Sequence, residues 1–342
     1  MPTISLKLKH SPYKVFIKKG IANEIPKHLK WGQKYAVITD NKVSALYGKA
    51  FVRFLRKNGI EAELFSFAQG EKSKILPTIE KIANQMVEKN FDRKDAIIAL
   101  GGGVVGDLAG FLASMYMRGI PYIQIPTTLL AMVDSSIGGK TGVDMKTGKN
   151  LLGRIEQPKA VFIDSTYLKT LAKKQIRNGL AEVIKYGVIR DPKLFSFIEN
   201  NSEEIFNLEE KAINKIITDS VKIKAKVVEK DEHEAGLRMI LNYGHTYGHA
   251  IEKMSGYKLL HGYAISIGMV IANKIAVKKG MLKKEDSDRI KALLTKVELP
   301  IVTIKKPSNK DLMSDKKRQG QYINLILPTK IGKVKIVQEK CQ

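Results

Sequence analysis

Cysteine is nearly absent from this chain: of 342 residues, only Cys341 carries a thiol. One thiol cannot close an internal disulfide or build a thiolate metal site, so the chain suits a reducing compartment. Acidic residues are also short, with 34 Asp and Glu against 59 Lys and Arg and a formal net charge of +25. Such an excess raises nucleic-acid binding as a function. The lysines, however, are spread along the whole chain, and no helix-turn-helix, zinc-finger or aromatic RNA-binding signature accompanies them. A lysine-rich background plus a site for an anionic substrate explains the charge more simply, and no nucleic-acid partner is expected. Long apolar runs are missing too; glycine and polar residues interrupt each one well short of a membrane span. The opening Met-Pro-Thr-Ile-Ser-Leu-Lys-Leu-Lys-His alternates like a strand and lacks a signal-peptide core and cleavage motif. A cytoplasmic, soluble protein with no membrane partner is the expectation.

What is present divides in two. At 342 residues and 44% hydrophobic content, two ordinary globular domains are the natural expectation. In the first half, strand signals alternate with amphipathic helices. Ile4–Leu8 and Tyr13–Lys18 read as a strand pair, followed by strands at Tyr35–Thr39, Glu61–Ser66, Ala96–Leu100, Tyr122–Ile125 and Ala160–Ile163. Helices over Ser44–Asn58 and Ile75–Lys89 fit between them. This alternation predicts a mostly parallel sheet with ligand loops at the strand C-termini. Beyond about Thr170 long segments of period 3.6 take over: Gly179–Val188, Ile205–Glu229, Asn242–Met254, Tyr263–Lys279 and Lys284–Thr295. The predicted fold is therefore an α/β domain over residues 1–170 and an all-helical domain over 171–342, with no repeats or low-complexity segments.

Four stretches carry chemistry. Gly101-Gly102-Gly103-Val104-Val105-Gly106-Asp107 follows the Ala96–Leu100 strand and opens a helix, and its glycines satisfy G-x-G-x-x-G. Glycine lets backbone approach a pyrophosphate at a helix N-terminus. The layout is not the usual dinucleotide one, because the motif sits far from the first strand and the acidic candidates, Asp40 and Glu71, lie upstream. Next, a strand ends at Pro126-Thr127-Thr128, whose hydroxyls suit a cofactor, and Asp134, Lys140, Lys149 and Asn150 follow. Gly138-Gly139-Lys140-Thr141 invites a P-loop reading, but Asp134 stands where the first glycine is required. Glu182 and Lys185 share a helical face at i and i+3 among apolar neighbours; an exposed ion pair is the plain alternative, and burial would demand a partner or a metal. Lastly, Glu234, Arg238, Asn242, His245 and His249 recur at steps of three or four. Three of the six histidines of the chain fall between His245 and His261. By spacing alone, His245 and His249 share one helix face and one ion. A capped helix with two surface histidines is the alternative, although Gly244 and Gly248 are poor helix-interior residues unless something must approach closely.

Taken together, these residues resemble the 3-dehydroquinate synthase family. The likeness runs from about Asp40 to Val337 and rests on Gly70-Glu71-Lys72-Ser73-Lys74, the Gly101–Asp107 turn, Pro126–Gly142, Lys149-Asn150, Gly179–Gly187, Asp231–Glu252, His261-Gly262 and Ser314-Asp315-Lys316-Lys317. The resemblance implies an N-terminal Rossmann-like, NAD-binding α/β domain and a C-terminal helical metal-binding domain. It implies metal ligation by Glu182, His245 and His261 rather than by His249, and this set suits Zn²⁺, with Co²⁺ as an alternative. Cofactor contacts are implied for Asp40, Glu71, Lys74, Gly102, Gly103, Val104, Asp107, Thr127, Thr128, Lys140 and Lys149. Substrate contacts are implied for Asp134, Lys140, Asn150, Lys185, Lys224, Glu234, Arg238, Asn242, His249 and one lysine of the Lys316-Lys317 pair. Arg118 resembles a residue that reaches the site of a neighbouring subunit, which implies a homodimer.

The reaction implied converts 3-deoxy-D-arabino-heptulosonate 7-phosphate to 3-dehydroquinate and phosphate by transient oxidation, phosphate elimination, reduction and an intramolecular aldol. Two enzymatic alternatives stay open: a sister sugar-phosphate cyclase making a cyclitol, and an iron-type polyol dehydrogenase. Arg238 and Lys224 favour a substrate bearing a carboxylate, because Arg238 offers a bidentate fork.

Overall fold

The computed structural model describes residues 2–303, 307, 318–319 and 322–340. Lys316, Lys317 and Cys341 lie outside the described residues. The chain divides into two compact units: Met1–Thr170 with Lys224–Glu229, and Leu171–Ile223 with Lys230–Gln342.

The first unit is built on strands β1 Thr3–Leu6, β2 Tyr13–Ile17, β3 Lys34–Asp40, β4 Glu61–Phe67, β5 Ala96–Gly101, β6 Tyr122–Pro126, β7 Lys140–Met145, β8 Gly148–Ile155 and β9 Ala160–Ile163. Seven of them form one sheet in the order β1-β2-β9-β6-β5-β3-β4. β1 and β2 are the expected antiparallel pair, and the remaining pairings are parallel. All six residues of β5, Ala-Ile-Ile-Ala-Leu-Gly, are buried, as a central parallel strand covered on both faces requires. On one face Ala36, Ile38, Ile97 and Ala99 meet Ile79, Ile82 and Met86 of helix Leu76–Glu88 and Val105, Leu108 and Leu112 of helix Gly103–Met115. Each large apolar side chain so buried contributes roughly 1.5–3 kcal/mol. After β3 the chain adds β4 on one side and then returns to add β5 on the other. The C-terminal ends of β3 and β5 therefore flank the switch point where α/β sheets bind ligands.

Two local expectations change. The helix expected over Ser44–Asn58 starts earlier, at Asn41, where the carboxylate of Asp40 accepts the Val43 N–H at 2.9 Å. It passes through a π-turn at Ser44–Gly48 before Lys49–Lys57. The β7–β8 hairpin, paired from Lys140↔Ile155 to Met145↔Gly148, was not expected. β8 is almost entirely exposed or half-buried, so it carries little hydrophobic alternation to betray it.

The second unit is mainly helical: Lys173–Ile189, Pro192–Asn200, Ser202–Phe206, part of Glu210–Lys230, His245–Met254, His261–Lys278 and Lys284–Lys296. The single helix expected over Ile205–Glu229 is interrupted near Leu208, which takes a left-handed φ of 57°. The unit is not purely helical. β10 Arg318–Gln319, β11 Tyr322–Lys330 and β12 Lys333–Lys340 form an antiparallel sheet, whose alternation Lys333-Val-Lys-Ile-Val is a strand signal of period two. No helix among the described residues is long and apolar enough to cross a membrane.

Candidate active site

In the second unit, glycine sets the geometry. Gly244 adopts a left-handed φ of 79° and starts helix His245–Met254. A Cβ at Gly248 would come within 3.1 Å of the Ile265 Cα, and one at Gly268 would land on the Gly244 carbonyl. What approaches Gly244 and Gly248 is thus a second helix, His261–Lys278, to which Gly268 belongs. Its first turn is tied to helix Lys173–Ile189 by the Gly262 N–H, which donates to Asn178 Oδ1 at 2.7 Å. Three helix segments are thereby drawn together, and each brings a side chain of a kind that can ligate a metal.

Glu182, fully buried, turns Oε1 toward both imidazoles: His245 Nε2 and His261 Nε2 each lie 3.4 Å from it. The other oxygen, Oε2, forms an ion pair with the buried Lys185 ammonium. Ligand atoms of Glu182, His245 and His261 all lie within 4.8 Å of one another. A tetrahedral ion with bonds of about 2.0–2.1 Å holds neighbouring ligand atoms about 3.3 Å apart, so the donor set fits such an ion. The ring nitrogens facing away are also engaged. His245 Nδ1 lies 3.1 Å from the Tyr243 carbonyl and His261 Nδ1 lies 3.3 Å from Glu252 Oε2, which leaves both Nε2 atoms for ligation. Burial works to lower the His261 pKa, but hydrogen bonds and charge from Glu182 and Glu252 outweigh it and push it up to about 9. His249 lies beside the same cluster, its ring centroid 5.3 Å from that of His245 and 5.9 Å from that of His261. It groups with Glu252 and His261, not with Glu182 and His245.

The polar residues upstream do not form the single helical stripe their spacing suggests. Residues 231–236 make a turn around Asp231, which accepts the N–H groups of Ala235, Gly236 and Arg238 at 2.8–2.9 Å. Burial raises the Asp231 pKa, yet these donors together hold it below the usual carboxylate range. A 3₁₀ turn, Leu237–Asn242, follows, and Gly244 breaks it from the helix. Arg238 is buried and donates to the Glu232 carbonyl. Asn242 Nδ2 donates to Glu234 Oε1 at 2.7 Å.

In the first unit, the expected cofactor residues gather at the C-terminal ends of four adjacent strands: Asp40 after β3, Glu71 and Lys74 after β4, Gly102 to Asp107 after β5, Thr127 and Thr128 after β6. The Thr127 N–H donates to the Gly101 carbonyl at 2.9 Å. A Cβ at Gly102 would meet Thr128 Cγ2 at 3.0 Å, and one at Gly103 would meet Ser135 Oγ at 3.0 Å. No side chain caps helix Gly103–Met115 at Gly102. This bare helix N-terminus, at a crowded turn where only backbone fits, suits a pyrophosphate. Beside it, Lys74 is buried and donates to Asp107 Oδ2 at 2.6 Å, with Glu71 Oε1 at 3.9 Å. Glu71 Oε1 lies 3.3 Å from Lys149 Nζ. Burial pulls the Lys74 pKa down, but Asp107 and Glu71 outweigh it, so the ammonium stays charged.

Asp134 stands in a π-turn, Ala131–Ser135, where its carbonyl and carboxylate oxygens both accept from Lys224 Nζ at 2.7 Å. Lys140 and Asn150 are both exposed. They are not side by side: Lys140 opens β7 opposite Ile155, whereas Asn150, with a left-handed φ of 52°, lies nearer the turn. Arg118 is exposed on the Tyr116–Arg118 turn.

Comparison with known proteins decides among the readings this geometry allows. Residues 64–178 match the family model for the N-terminal part of 3-dehydroquinate synthase, and residues 179–318 match that for the C-terminal part. A 3-dehydroquinate synthase of Prochlorococcus marinus (strain MIT 9215) is 49% identical, over 98% of this chain and 96% of its own. The chain belongs to the 3-dehydroquinate synthase family. Among solved structures, 2-deoxy-scyllo-inosose synthase complexed with carbaglucose-6-phosphate, NAD⁺ and Co²⁺ is 26% identical with a TM-score of 0.90, over 99% of this chain and 97% of that one. The 2-epi-5-epi-valiolone synthase of Streptomyces hygroscopicus subsp. jinggangensis 5008, with NAD⁺ and Zn²⁺ bound, is 28% identical with a TM-score of 0.89, over 97% and 94%.

Within this 3-dehydroquinate synthase family member, three residues around the candidate site escaped the sequence reading. Asn178 ties two of the converging helices together. Asp144 accepts the Asn150 N–H at 2.7 Å and donates its own N–H to the Lys74 carbonyl. Glu252 backs His261. Only Glu252 had a local signal, since His245, His249 and Glu252 fall at i, i+4 and i+7 on one helix face.

Proposed function

We propose that this member of the 3-dehydroquinate synthase family works on 3-deoxy-D-arabino-heptulosonate 7-phosphate with NAD and a divalent ion as resident cofactors, residues 1–170 serving the cofactor and 171–342 the metal and substrate. One observation carries the metal assignment: one carboxylate oxygen faces two imidazole Nε2 atoms at 3.4 Å. The nitrogen-rich donor set favours Zn²⁺, and Co²⁺ shares its preferences. When bound, NAD supplies a reversible hydride acceptor and the ion a Lewis acid for the substrate hydroxyls.

The chain's own residues do the rest. Gly102, Gly103 and Val104 offer backbone to the cofactor pyrophosphate, and Asp40, at the end of β3, offers a carboxylate to a ribose hydroxyl. Lys74 holds Asp107 in place, and Thr127 and Thr128 border the same turn. Lys185 steadies Glu182 so that Oε1 faces the histidines, and with Asp134 it manages protons of the substrate hydroxyls. Lys140, Asn150 and His249 bind the phosphate by charge-assisted hydrogen bonds. Arg238 presents its fork to the C1 carboxylate; the hydrogen bond to the Glu232 carbonyl fixes its plane. Lys224, Glu234 and Asn242 complete the substrate contacts.

A homodimer formed in the cytoplasm is part of this reading. Arg118 is exposed directly after Met117, and Met115 and Met117 are themselves 58% and 46% exposed, a combination that suits contact with a second copy. The test against a sister cyclase is the substrate carboxylate. Arg238→Ala should lower kcat/KM by about 2–4 kcal/mol for the heptulosonate phosphate and much less for an analogue lacking C1. Equal losses for both would overturn the role of Arg238.

A further inference from the structure

We propose that Glu252 is a positioning residue for the metal centre, holding His261 with Nε2 directed at the ion and raising the electron-donating power of that imidazole. The inference rests on the metal assignment above and extends it to a residue that is not a ligand. Glu252 is only 6% exposed. A carboxylate so placed needs a partner, and Glu252 Oε2 lies 3.3 Å from His261 Nδ1. With its Nδ1–H donated there, the neutral ring presents its lone pair at Nε2, 3.4 Å from Glu182 Oε1. The two histidines are backed unequally. His245 faces a neutral carbonyl, that of Tyr243, at 3.1 Å, whereas His261 faces a full negative charge. A carboxylate behind a ligating imidazole fixes the ring and increases its basicity, and losing such a partner typically costs about 10–100-fold in metal affinity.

Glu252 also groups with His249 and His261 within ligand distance, so the rival role is that of a ligand to a second ion. Zn²⁺ binding by the full-length chain, measured by competition with a chromophoric chelator, separates the two. Wild type should bind one Zn²⁺. Glu252→Ala should bind one Zn²⁺ about 10–100-fold more weakly. Glu252→Gln, which keeps the shape and an oxygen acceptor but loses the charge, should lie between the two. With Co²⁺ in place of zinc, the visible spectrum of Glu252→Gln should keep the wild-type band pattern, since the three ligands are unchanged. Unchanged Zn²⁺ affinity in a folded Glu252→Gln and Glu252→Ala would overturn the proposal, even if both variants unfolded at lower temperature. Two Zn²⁺ in wild type falling to one in Glu252→Ala would make Glu252 a ligand and would overturn it as well. A wild-type chain that binds no Zn²⁺ would overturn both the metal assignment and this extension of it.

Discussion

Each unit holds one dense charged cluster, and the two differ in how their atoms meet. In the first unit opposite charges close on one another: Lys74 reaches Asp107 at 2.6 Å and Lys224 reaches Asp134 at 2.7 Å. In the second unit only Lys185 closes on Glu182, while the two imidazoles stop 3.4 Å from the same carboxylate. That distance is close to the edge of a tetrahedral ligand set. The first cluster is therefore satisfied by its own residues, beside the turn proposed for the cofactor. The second is arranged around a point that suits a cation.

The largest effects should come from attacking that point. His245→Ala should abolish zinc retained after dialysis and bring phosphate release to background. His249→Ala should keep the zinc and still lose activity, because its proposed task is the phosphate. Stoichiometric zinc in His245→Ala would erase the distinction between the clusters. A sharper comparison replaces one buried lysine in each unit. Lys185→Met leaves Glu182 buried without its cation and should cost about 3–5 kcal/mol in denaturant unfolding, an effect that added Zn²⁺ should largely reverse. Lys74→Met should cost about 1.5–3 kcal/mol, with no reversal by Zn²⁺. Equal rescue of both variants by zinc would contradict the comparison. A smaller effect should follow Gly248→Ala, which inserts a methyl against Ile265; overpacking of this kind costs about 1–3 kcal/mol and should weaken zinc binding as the two helices part.

The two units also differ in how far the sequence discloses them. The buried run Ala96–Gly101 and the strands beside it are legible because a parallel sheet covered on both faces must be apolar throughout. The β7–β8 hairpin is not legible, because its second strand faces solvent and carries no pattern. In the second unit the histidine pair His245 and His249 is plain from spacing, yet the structure groups His245 with Glu182 and His261 instead. Which imidazoles share a carboxylate depends on where two helices cross, and that crossing is set by Gly248 and Gly268, not by the ligands. Glu182 lies 63 residues before His245, so only the family resemblance could join them. The stripe from Glu234 to His249 shows the opposite failure: a turn around Asp231, a 3₁₀ segment and a helix together mimic one helical period.

The most direct test of the account follows phosphate and the NADH absorbance band together, with the purified chain, Zn²⁺, the heptulosonate phosphate and a small amount of NAD⁺. The account predicts many phosphates released per NAD⁺ present while the NADH band stays flat, because the hydride taken from the substrate is returned to it. A steady rise of NADH matched to substrate consumed would contradict it and would move the chain to the dehydrogenases.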